Sequence, residues 1–173
     1  MRQQMKIENL AHTLEATASS VLGEAAFAMV DGPSDWDEPP QLLPAKDMIA
    51  ARLQFQGPFT GSMFLAAPVT LAHELAANML GLELVDPEAA LRRGDAVGEL
   101  LNMICGNLLP LIAGSAPEFS IGAPATVDCA AARAMAGSHP EDLRAVVALL
   151  VEDEPVEAAL LLDDFPTEAA TLP

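Results

Sequence analysis

The sequence predicts an α+β domain in which two long helices pack on a largely antiparallel sheet. Two observations carry this. The apolar period changes along the chain, from a spacing of three and four to alternation or short apolar runs. The strand-like and helix-like segments also come in groups rather than in strict βαβα order, which favours helices laid on one face of an antiparallel sheet. At 173 residues the chain has the length of one domain, 1–173.

From Lys6 to Val30, Ile7, Leu10, Leu14, Ala18, Val21, Leu22, Ala25 and Met29 recur at helical spacing, and Asp31-Gly32-Pro33 is the stop signal. Residues 31–45 hold four prolines and four acids and read as a loop. Its Trp36 either packs the loop on the body or serves as a partner-binding anchor. Met48 to Pro68 reads as two strands around Gly57-Pro58-Phe59, with Ile49, Ala51, Leu53 and Phe55 on one face. Val69 to Gly81 is a short helix, with Thr70 as the expected N-cap and Gly81 as the terminating glycine. Asp86 and Pro87 open the longest helix, 87–113. The segment EFSIGAPATVD reads as an uneven strand and DCAAARAMAGSHPED as a loop. Leu143–Val151 and Val156–Asp164, around Glu152-Asp153-Glu154-Pro155, read as a terminal hairpin, and 165–173 as a frayed tail.

Composition narrows the function. Apolar residues make up 51% and charged residues 19%, with mean hydropathy +0.30, which excludes intrinsic disorder. Eight Lys+Arg against 25 Asp+Glu give a net charge of −17. Such a field opposes nucleic acid and anionic membrane surfaces. Cys105 and Cys129 lack a CxxC spacing and read as buried free thiols in a reducing compartment. No signal-peptide pattern opens the sequence, and no run of about 20 uninterrupted apolar residues occurs, so a cytoplasmic location is expected. No P-loop, GxGxxG or GxSxG is present. His12, His73 and His139 do not supply the Glu-x-x-His that a carboxylate-bridged metal site needs, so no metal is expected.

The longest helix carries the most informative residues. With Val97 at zero, Leu100, Leu101, Ile104, Leu108 and Leu111 fall within about 60° and form a core stripe. Asp95, Glu99 and Asn102 fall at about 160°, 200° and 140°, with Gly106 near 180°. Arg92 and Glu88 continue this stripe toward the N-terminus. An ordinary solvated face would also be polar. Yet Asn is a mediocre helix former, and Gly98 and Gly106 each cost about 1 kcal/mol relative to Ala inside a helix. Close approach of another surface is one reason for such residues, and packing against a neighbouring element is another.

Asp95-x3-Glu99-x2-Asn102, within GDAVGELLNMICGN, resembles the D/S-x3-E-x2-N signature of the CheC/CheX/FliY chemotaxis phosphatases. Met103-Ile104-x-Gly106-Asn107 continues the likeness, as do Phe55-x-Gly57-x3-Gly61 and LAHELAANMLG upstream. The resemblance spans about residues 47–125 and, with its single signature, is closest to CheX. Ser20-x3-Glu24-x2-Phe27 has the same spacing with Phe in place of Asn, and reads as a degenerate half or as chance.

The resemblance implies two long helices on an antiparallel sheet, a homodimer formed through the sheet, and removal of the phosphoryl group from the phospho-aspartate of a CheY-like receiver. It implies that Asn102 orients the attacking water, that Glu99 pairs with the receiver's active-site Lys, and that Asp95, Gly98 and Gly106 meet the partner. The Mg²⁺ belongs to the receiver, and no cofactor of the protein's own is expected. A non-enzymatic docking module and a purely structural dimer are the alternatives.

Overall fold

The computed structural model describes residues 2–31, 40–114 and 116–164, with side chains from residue 9 onward. Trp36, most of the acidic loop and the tail from 165 lie outside the described residues. The elements are α1 (Arg2–Ala25), β1 (Val30–Asp31), β2 (Met48–Gln56), β3 (Gly61–Pro68), α2 (Val69–Leu80), α3 (Pro87–Leu91), α4 (Arg93–Ala113), β4 (Ser120–Ile121), β5 (Ala125–Val127), α5 (Cys129–Ser138), β6 (Arg144–Val151) and β7 (Glu154–Leu162). The strands form one antiparallel sheet in the order β1-β6-β7-β3-β2-β4, with β5 also paired to β2. The α+β class expected from the grouping of elements is therefore the class observed.

One sheet face buries the main core. Ala51, Leu53 and Phe55 of β2, Met63 and Leu65 of β3, and Val156, Ala158 and Leu160 of β7 lie in one cluster with the helices. Leu14, Ala18 and Leu22 of α1 and Val97, Leu101, Ile104 and Leu108 of α4 supply the other half. The opposite face is covered in part by α5. Cys129 packs there with Ala50 and Ala66, and Ala132 with Phe64, Ala159 and Leu161. This departs from the expectation of helices on one face only. The alternation of β2 is correspondingly less clean than that of a half-solvated strand, because Ala50 is buried as well.

Several boundaries differ from the sequence expectations. The first helix ends at Ala25 rather than near Val30. Ala26 and Ala28 both donate to the Leu22 carbonyl, and Phe27 takes a left-handed φ of 53°. Val30 and Asp31 are then drawn into the sheet against β6. The second helix starts at Val69 with Pro68 as its N-cap, so Thr70 does not cap it and bonds Glu154 instead. Gly81 does end it, at φ 65°.

The longest helix divides at Arg92, whose φ and ψ are −93° and 5°. Asp86 caps α3 by accepting from the Glu88 N–H, with Pro87 in the first turn. The uneven strand is two short ones, β4 and β5, both on β2. The segment read as a loop is α5, capped by Asp128, which accepts from the Ala131 N–H at 2.8 Å. In the terminal hairpin the turn is only Glu152-Asp153, with φ of 49° and 63°. Two positive φ values make a turn whose twist suits adjoining strands, and Glu154 and Pro155 join β7.

The glycines of the β2–β3 hairpin serve packing. A Cβ at Gly61 would strike the Leu161 carbonyl and the Phe55 ring, and one at Gly57 would meet Phe119 at 2.6 Å. Phe55, Phe59 and Phe119 form an edge-to-face cluster there, with centroids 5.1–6.1 Å apart. Both cysteines are buried free thiols, and burial pushes the Cys105 thiol up to about 12. Helix α4 is long and apolar enough to cross a membrane by length and composition. In this fold its apolar side is committed to the core beneath the sheet.

Candidate functional site

Helix α4 presents two unlike sides. Ala96, Val97, Gly98, Leu100, Leu101, Ile104, Cys105, Leu108 and Leu109 are buried. On the other side Asp95, Glu99 and Gly106 are exposed and Asn102 is half-buried. Leu111 departs from the expected core stripe and is 66% exposed. In the last turn Leu109 and Ile112 take the inward positions instead.

The polar residues are not equivalent. Arg92 donates to Glu88 at 2.7 Å and to Asp95 at 3.1 Å, so Asp95 is held in an ion pair on its own helix face. The hydrogen bonds to Glu88 and then Asp95 raise the Arg92 guanidinium above its ordinary value. Among the described residues, the Glu99 and Asn102 side chains have no hydrogen-bond or ion-pair partner. They stand close to one helical turn apart, as a free carboxylate and a free carboxamide.

The two glycines separate. Gly98 is buried, and a Cβ there would lie 3.3 Å from Pro124. It serves the approach of α4 to the segment before β5 and does not share the exposed face with Glu99. Gly106 has nothing within 4 Å of its would-be Cβ, which leaves the helix surface beyond Asn102 open.

Beside this ridge lies a groove of about 500 Å³, lined by Met79, Leu80 and Leu82 on one wall and Glu88, Arg92, Asp95, Ala96 and Glu99 on the other. Sequence reasoning did not find the first wall. Its signal was the run Leu80, Leu82, Leu84 and Val85, apolar residues continuing past the helix stop at Gly81. Two of the three histidines are engaged elsewhere: His73 Nε2 lies 2.8 Å from the Leu84 carbonyl and His139 Nε2 2.7 Å from that of Leu162. Among the described residues no cluster of His, Cys, Asp and Glu could hold a metal ion.

The family model described as chemotaxis phosphatase CheX matches residues 49–148, more than half of the chain. The chain belongs to the CheX family. The match runs from β2 into β6 and contains the whole of α4.

Solved structures share the fold. A chemotaxis protein CheX from Desulfovibrio desulfuricans is 17% identical with a TM-score of 0.62, covering 90% of this chain and 99% of that one. The CheX–CheY–BeF₃–Mg complex from Borrelia burgdorferi contains a chain 17% identical with a TM-score of 0.61, covering 88% and 97%. FliY from Thermotoga maritima is 13% identical with a TM-score of 0.55, covering 92% and 91%. No curated protein sequence matches the chain.

The Ser20-x3-Glu24-x2-Phe27 segment at the end of α1 has a different geometry from Asp95-x3-Glu99-x2-Asn102 on α4. Ser20 donates to Glu24 at 2.8 Å, which occupies that carboxylate, and Phe27 lies beyond the helix end.

Proposed function

We propose that this CheX-family protein hydrolyses the phospho-aspartate of a CheY-like receiver domain, with Asn102 and Glu99 as the residues that act. The observation that carries the reading is the pairing of a free carboxylate and a free carboxamide on one outward face of α4, inside the family match. The CheX–CheY complex of the Borrelia relative supports a CheY-like partner.

A neutral amide both donates and accepts hydrogen bonds, so Asn102 can hold a water without bringing negative charge to the phosphoryl group. The water oxygen attacks phosphorus, the bond from phosphorus to the aspartyl oxygen breaks, and the aspartate leaves as a carboxylate. The water protons pass to the phosphate product and solvent. Glu99 accepts from the receiver's Lys and fixes the register of docking. Mg²⁺ belongs to the receiver and offsets the charge on the phosphoryl oxygens. Asp95 and Gly106 border the contact, while Gly98 acts through the packing of α4 on Pro124.

A homodimer and a cytoplasmic setting, shared with the substrate, belong to the same reading. The test is the decay of phosphorylated receivers encoded by the host, with and without the protein. Asn102→Ala is expected to lose about 100-fold in rate through loss of water orientation. Glu99→Ala is expected chiefly to raise KM. Full activity in Asn102→Ala, or inactivity of the wild type on every receiver, would overturn the phosphatase reading in favour of a docking module.

A further inference from the structure

We infer that the groove between α2 and α3–α4 is a docking surface for the same phosphorylated receiver, and that it takes an apolar side chain lying beside the receiver's lysine. This rests on the phosphatase reading and deepens it. The argument is one of continuity and charge. Glu99 and Asp95 belong both to the exposed ridge and to the groove wall, so a receiver seated on Glu99 also covers the groove. The facing wall is apolar, with Leu80 51% exposed. A single exposed apolar residue on a surface is ordinary, but a trough of Met79, Leu80, Leu82 and Ala96 beside a free carboxylate is a composite site.

Within the groove Arg92 pairs with both Glu88 and Asp95 and offsets only one of their two charges, while Glu99 has no ion-pair partner among the described residues, so the groove stays acidic. The complementary surface therefore carries positive charge, the receiver's lysine at Glu99, next to an apolar side chain.

The experiment compares Leu80→Glu with Met135→Glu, the latter an exposed position on α5 across the sheet. Each is assayed for hydrolysis of the phosphorylated receiver and for binding to the same receiver activated by beryllofluoride and Mg²⁺. Melting curves confirm folding. Leu80→Glu is expected to raise KM and weaken binding by about tenfold or more, with kcat within about twofold and Met135→Glu unchanged. Unchanged KM and binding in Leu80→Glu would overturn the groove while leaving the phosphatase reading intact. If the wild type binds but does not hydrolyse, the binding arm alone decides the groove and the phosphatase reading falls. If no receiver binds, both fall.

Discussion

Glu99 differs from Asp95, one turn earlier on α4, in having no partner among the described residues, and that freedom is a property of packing rather than of residue type. Asp95 has the same chemistry as Glu99, yet Arg92 holds it at 3.1 Å. Gly106 offers a test of single-residue reasoning. Nothing lies within 4 Å of its would-be Cβ, so Gly106→Ala exchanges a poor helix residue for the best one. The expected gain is about 1 kcal/mol, or a rise in melting temperature of about 2–4 °C for a chain of this size. The added methyl stands on the face proposed to meet the receiver, so kcat/KM should fall as the melting temperature rises. Loss of both would show instead that the glycine is needed by the fold.

Among the secondary-structure elements, α5 shows where reading by composition misleads. Its small residues resemble a turn-rich segment, but Ala is the strongest helix former and Asp128 is a good N-cap. What makes the helix worth forming is burial of Cys129 and Ala132 on the sheet. Asp128→Ala is expected to lower stability by about 1 kcal/mol, measured by denaturant unfolding, with the slope unchanged. No loss of stability would mean that packing alone holds the helix. The break at Arg92 and the early end of α1 were equally hidden in the sequence. The first lies in a backbone angle, and the second depends on Val30 pairing with Val151, far along the chain.

For the assembled fold, the two low-charge strands AARLQFQ and AVVALLV differ in how far their edges are covered. Along β2, the segment AARLQFQ is covered by β4 and β5. Along β6, β1 pairs only with Leu150 and Val151, so the outer edge from Arg144 to Leu149 is unpaired among the described residues. An open edge of low charge is an association surface. Sedimentation in the micromolar range is expected to show a dimer, and a strict monomer would remove this proposal.

The period of each main element, the two hairpins, and the placing of Asp95, Glu99, Asn102 and Gly106 opposite the core stripe of α4 were all legible in the residue order. They follow from local geometry, because 3.6 residues per turn and alternation along a strand assign faces without knowledge of the partner surface. Four features came instead from folding in three dimensions. Gly98 is buried under Pro124, Arg92 occupies Asp95, α5 covers the second sheet face, and α2 builds a groove beside Glu99. The ion pair depends on side-chain rotamers that spacing leaves open. The other three are contacts between segments apart in sequence, and no local pattern encodes which distant surface arrives.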